Sequence, residues 1–242
     1  MNTIPKKIHQ IWLWKKMPEE FLEYQKSWIK KHPNWKFFIW DERNIQKLKY
    51  INLHDYNLCK NYSEKSDYLR FCILREHWWL HVDTDFECYK SIVPLLKNAD
   101  FIIWEEFFWV YNAAFMAATK ESKVVKKIFQ EFHKQLKKTT HLCRTGPVFI
   151  SQFINKHSKN IKIIPWELLY PEYWLYINKK TLPDKIYASH HYAASWQGMK
   201  RKKIFFLKQK ISKYYWGKYL IIILHYLTMK GRILLYGKHW YQ

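Results

Sequence analysis

Asp83 and Asp85 stand two residues apart, directly after the apolar run Trp79-Leu80-His81-Val82. In extended chain, residues i and i+2 project to one face. Two carboxylates would therefore leave the end of a buried strand together, at the edge where open α/β sheets bind ligands. Paired hard oxygen donors suit Mg²⁺ or Mn²⁺, ions that commonly bridge protein carboxylates to substrate phosphates. The same spacing also occurs in plain surface turns. Asp67 and Arg70, at i and i+3 of a predicted helix, share a face; they form either a surface ion pair or a ligand clamp. Trp12 closes the first apolar run, where it stacks on a flat ligand ring or fills the core. His190-His191 and Ser195-Trp196 add imidazoles that can complete a metal site and a hydroxyl that can bind phosphate, or else satisfied structural groups.

The elements that must position these residues alternate. Lys7–Trp12 and Trp35–Trp40 read as strands. Between them Pro18, followed by Glu19 and Glu20, opens a helix ending near Lys31, ahead of His32-Pro33. Asp41 and Asn44 read as turn and cap. Ser63 to His77 is the helix carrying Asp67 and Arg70, with Ser63 and Ser66 as candidate caps. Trp79–Val82, Phe101–Trp104, Ala113–Ala118 and Ile161–Ile164 read as short buried strands, and Glu121–Lys137 as an amphipathic helix. Strands interleaved with helices predict an α/β layered fold.

The chain has 242 residues, enough for one domain with an appendage, and its 48% hydrophobic content excludes a disordered chain. Four dispersed cysteines, Cys59, Cys72, Cys88 and Cys143, argue against zinc or a disulfide framework. The N-terminal residues contain no apolar stretch of signal-peptide length, so a cytoplasmic protein is expected. A formal charge of +22 draws polyanions: nucleic acid, anionic lipid or phosphorylated substrate. Composition changes near Gly198. Residues 1–197 read as the catalytic unit, and residues 198–242 as a basic, aromatic, helical extension that either rests on an anionic membrane or covers the core.

Ile4-Pro5-Lys6-Lys7-Ile8-His9-Gln10-Ile11-Trp12 resembles the opening of glycosyltransferase family 32. Trp28, Pro33-Asn34, Trp40-Asp41-Glu42, Ser66-Asp67-Tyr68-Leu69-Arg70 and Val82-Asp83-Thr84-Asp85 are similar to further motifs of that family in the same order. So are Thr145-Gly146-Pro147, Tyr170-Pro171 and His190-His191-Tyr192-Ala193-Ala194-Ser195-Trp196. The resemblance covers about residues 4–196. It implies a GT-A fold with a mixed central sheet and a retaining transfer from a nucleotide-diphosphate sugar, with a UDP-sugar favoured, assisted by Mn²⁺ or Mg²⁺. Carried over by position, Trp12 would stack on the base, while Asp67, Arg70 and Asn112 would hold the donor sugar. Asp83 would contact ribose and sugar, and Asp85 with His191 or His190 would ligate the metal. Ser195 and Trp196 would close over the phosphates. The acceptor would be a glycan or glycolipid of surface polysaccharide or lipooligosaccharide synthesis, met at the inner membrane face, with no nucleic acid partner. The family's Gly-Gly before the D-x-D strand is Trp78-Trp79 here, which puts the geometry of that turn in question.

Three other readings stand beside this one: a D-x-D phosphatase, in which Asp83 would be the nucleophile, a basic nucleic-acid or membrane-binding module, and an inactive family member. Glu87 occupies the position where such phosphatases usually carry Thr or Val. The ordered acidic motifs would repel nucleic acid in the absence of a metal. Glu105 and Glu106 follow a predicted strand, but nothing in the sequence makes either a nucleophile.

Overall fold

Helix α1, Glu19–Lys31, joins strands β1, Lys7–Ile11, and β2, Lys36–Trp40, which pair parallel and so need a long crossover. Pro18 precedes its first turn, Glu19 and Glu20 lie at its N-terminus, and Lys30 and Lys31 at its C-terminus, all in favourable sense to the helix dipole. The computed structural model describes residues 6–14, 16–107, 110–138, 145–169 and 184–191. The extension at residues 198–242, together with Ser195 and Trp196, lies outside them.

The central sheet has six strands in the order β2-β1-β3-β6-β5-β7, with β3 Leu80–Val82, β5 Phe101–Phe107, β6 Val110–Ala118 and β7 Ile161–Ile164. β2, β1 and β3 run parallel, β6 is antiparallel to β3 and β5, and β7 returns parallel to β5, so the sheet is mixed. A separate two-stranded ribbon pairs β4, Phe86–Cys88, antiparallel with β8, Ala188–His190. Neither ribbon strand is signalled by the sequence pattern, because three residues are too few for a period. Glu105, expected just past a strand, lies inside β5.

Strand alternation divides the core. Phe101, Ile103, Met116 and Ala118 face α3, Tyr62–His77, and α4, Lys123–Lys138. Ile102, Trp104, Phe115 and Ala117 face the opposite layer with Trp28 and Phe86. Val125, Ile128, Phe132 and Leu136 form the inward stripe of α4 at helical spacing. α3 is capped by Asn61, whose side chain accepts from the Glu64 amide, while Ser63 and Ser66 sit inside the helix. Asn outcompetes Ser here because it stands one residue before the first helical turn, where a side-chain oxygen can reach the third amide. α2, Leu53–Leu58, packs on α4, and the short α5, Pro147–Ser151, packs on β6. Among the described residues no helix is long and apolar enough to cross a membrane.

Trp78-Trp79 does perform the turn. Trp78 ends α3 in the left-handed region, φ 38° and ψ 67°, the conformation that glycine would adopt freely. Trp79 is buried, stacked near His9 and Phe38 and covered by the Lys7 ammonium 3.0 Å from its ring centroid. Both tryptophans lie just before β3, roughly 13–16 Å of extended chain away from Asp83; they serve the fold and not a sugar platform. Trp78→Gly is expected to change stability by no more than about 1 kcal/mol, since relief of the left-handed backbone offsets lost side-chain contact. Trp79→Gly should cost about 3–5 kcal/mol. Urea unfolding of the two variants checks the contrast.

Candidate metal and donor site

The aspartate pair does not lie in extended chain. β3 ends at Val82, and the Asp83 amide still bonds Ala114 O at 2.8 Å, but the Phe86 amide folds back to Asp83 O at 3.3 Å. Asp83-Thr84-Asp85 is thus a tight turn between β3 and β4, with Thr84 buried beneath it. Gln10 Nε2 donates to the same Asp83 carbonyl at 3.2 Å, which ties the turn to β1. The two carboxylates converge because the turn closes, not because a strand alternates.

β8 brings the third group. Through the β4–β8 pairing His190 stands opposite Phe86, and its Nε2 lies 3.1 Å from Asp85 Oδ1. One ligand atom from each of Asp83, Asp85 and His190 falls within 4.8 Å of the others. Two carboxylates and an imidazole suit a divalent cation of the Mn²⁺ or Mg²⁺ type. Burial pushes the Asp83 carboxyl up; the Arg70 charge pulls it down, Asp85 pushes it up again and His190 pulls it down. A cation between the carboxylates would offset their burial and mutual repulsion, so the residues fit the metal. His191 turns elsewhere: its Nε2 meets Glu87 Oε2 at 3.2 Å, and its ring lies flat on Tyr24.

Beside the turn, Arg70 reaches Asp67 Oδ1 at 3.1 Å and Asp83 Oδ1 at 3.4 Å through the same nitrogen. The pair is not at the surface, since the side chains are 7% and 11% exposed for Arg70 and Asp67. Thr145 Oγ1 donates to Asp67 Oδ2 at 2.9 Å, and the Gly146 backbone passes so near that an added β-carbon would stand 3.8 Å from that oxygen. Burial drives the Asp67 carboxyl up to about 6 against the downward pull of Arg70 and Thr145. Thr145 belongs to the Thr145-Gly146-Pro147 motif, but its contact with Asp67 spans 78 positions and has no local signal.

A cleft of about 650 Å³ opens over this cluster and is lined by Trp12, Trp14, Tyr62, Arg70, Asp83 and Asp85 among others. Trp12 is half-buried and edge-on to Phe21. Trp14, 48% exposed, tilts against Tyr62 at the rim, and sequence reasoning passed over both. Asn112 sits at an irregularity of the β5–β6 pairing, its Oδ1 accepting from the Ala114 amide at 2.8 Å, and is not one of the cleft-lining residues.

Residues 18–106 match the glycosyltransferase sugar-binding region containing the DXD motif. The match takes in the segments that carry Asp67, Arg70, Asp83 and Asp85. The chain is 27% identical over 195 residues to inositol phosphoceramide mannosyltransferase 1 of Schizosaccharomyces pombe, a match that covers 70% of this chain and 58% of that protein. It is 28% identical to a glycosyltransferase of Acanthamoeba polyphaga mimivirus, covering 91% and 92% of the two chains. Among solved structures, the PaToxG glycosyltransferase aligns with a TM-score of 0.52 at 18% identity, over 63% of this chain and 69% of that one. The galactosyltransferase LgtC aligns at 0.50 and 15%, over 82% and 94%. These likenesses establish a GT-A fold for the DXD chain.

Replacing the counter-ion tests the electrostatics. Arg70→Met in metal-free protein should lose about 3–5 kcal/mol at pH 7.5, because two buried carboxylates lose their partner. The Asp67 pKa, about 6, is raised above its unfolded value of 3.8. The folded state therefore holds an extra proton between the two values, and this group's contribution to stability rises as pH falls through that window. Arg70 removal raises the folded value further, so the Arg70→Met deficit should shrink on acidification from pH 7.5 to 5. Urea titrations at both pH values measure it; a pH-independent deficit would count against the charge account.

Proposed function

We propose that the protein is a metal-dependent, retaining glycosyltransferase that moves a sugar from a nucleotide-diphosphate sugar, a UDP-sugar being favoured, to a glycan or glycolipid acceptor. The reading rests above all on the convergence of Asp83, Asp85 and His190, with both aspartates lining a cleft, in a chain whose residues 18–106 match the DXD sugar-binding region. Relatives named as inositol phosphoceramide mannosyltransferases support a membrane-borne acceptor. The +22 charge supports work at an anionic membrane face, with the basic extension as the contact.

Bound between Asp83, Asp85 and His190, a Mn²⁺ or Mg²⁺ ion would neutralise the diphosphate and improve it as a leaving group. Trp12, on the cleft wall, takes the base. Asp67 and Arg70 face the donor sugar: carboxylate oxygens already engaged once keep further lone pairs for sugar hydroxyls. Arg70, fixed between Asp67 and Asp83, holds its charge beside the diphosphate as negative charge grows there, an interaction that strengthens toward the transition state. Ser195 and Trp196, by their place in the family motif, would cover the phosphates. Retention needs either a same-face attack, with the leaving phosphate taking the acceptor proton, or a carboxylate nucleophile; no carboxylate is assigned that role.

Nucleotide release from a panel of sugar nucleotides tests this. With Mn²⁺, one donor should be hydrolysed slowly without acceptor, chelator should abolish release, and Asp85→Ala should lower it by about 100-fold or more. Release from no donor, joined to the absence of metal-dependent nucleotide binding, would sink the proposal.

A further inference from the structure

His190 stands on a ribbon that cannot hold it alone. β4 and β8 have three residues each, and a two-stranded sheet of that size is marginal in water. Three residues of α1 at helical spacing secure its outer side. Trp28 Nε1 donates to Phe86 O at 2.8 Å, the Cys88 amide donates to Ser27 Oγ at 2.8 Å, and the Tyr24 ring lies on the His191 ring at 4.3 Å and 4°. Glu87 closes the fourth side, its carboxylate 3.2 Å from His191 Nε2, while the His191 amide donates to Asp85 O at 2.9 Å. On the inner side the Phe86 ring stacks on the His190 imidazole at 4.6 Å and 6°.

From this arrangement we infer that Glu87, His191 and Tyr24 form a positioning clamp: they lock the ribbon so that His190 and Asp85 meet at the metal site, and His191 is not itself a ligand. The inference rests on the metal reading above. Two successive histidines thus divide the work. His190 faces the carboxylates. His191 takes a carboxylate and an aromatic ring from the two elements that flank the ribbon, and its backbone amide grips the carbonyl of a metal-binding aspartate. Partners that orient metal ligands typically contribute about 10–100-fold in affinity.

Mn²⁺ binding to the full chain, followed by the electron paramagnetic resonance signal of free ion, reads this without any substrate. His190→Ala should abolish saturable binding. His191→Ala and Glu87→Ala should weaken it by about 10-fold, with thermal unfolding still cooperative. His191→Phe, which keeps the ring on Tyr24, and Glu87→Gln, which keeps an acceptor for His191, should each recover part of the loss, an effect that general damage to the fold would not produce. Wild-type affinity in both alanine variants would overturn the clamp and leave the metal reading intact. Loss in His191→Ala as complete as in His190→Ala would make His191 a ligand and overturn it too. No saturable binding by the wild type would remove both readings together.

Discussion

Asp67 and Asp83 share the single guanidinium of Arg70, and Asp85 adds a third carboxylate beside Asp83. One positive charge cannot balance three negative ones, and this deficit organises the site. Asp67 answers it by sitting near 6, with Thr145 sharing its second oxygen. Asp83 and Asp85 answer it by opening toward the cleft, where a divalent cation and a histidine can complete the balance. Isolated buried charges are costly, but paired ones with every oxygen engaged are tolerable and specify one geometry. Motifs far apart in the chain are therefore tied together: α3 supplies Asp67 and Arg70, the turn after β3 supplies the two metal aspartates, and Thr145 leads into α5.

The sheet delivers these groups to one edge. β1 and β3 run parallel and end together, so Trp12 and Asp83 leave the sheet side by side, with Gln10 bridging the two strands. Around the middle of β1, His9 is enclosed by the rings of Trp40, His77 and Trp79. Burial pushes His9 down to about 3 and holds His81 well below its ordinary value, so both remain neutral at physiological pH and add no charge to a layer that could not balance it. Trp78 accepts a left-handed backbone to let α3 run straight into β3, a strain compensated by the packing of its neighbour.

The α1–β4–β8 layer adds a second support from the other face. Trp28 is fully buried and bonded to the backbone of β4, and it is a motif residue whose role would otherwise read as core filling. Its position one turn after Tyr24 makes α1 a brace for the ribbon that carries His190. The solved structures that share this fold do so at identities of 18% and 15%, so what is common is the fold.

From the sequence alone came the α/β order, the strand into Asp83-Thr84-Asp85, the Asp67–Arg70 face and the resemblance to the DXD glycosyltransferases, because each is written in local periodicity or in ordered motifs. Elements of three residues, β4 and β8, carried no period and went unseen. The cap Asn61, the tight turn at the aspartates and the burial of Asp67 and Arg70 were likewise decided only in three dimensions. So was the choice between the two histidines. Adjacent in the chain, His190 and His191 are chemically identical, and a strand sends neighbouring side chains to opposite faces. The Phe86–His190 register turned one imidazole to the aspartates and the other to Glu87 and Tyr24. Spacing tells which residues are able to meet, but long-range pairing decides which of them do.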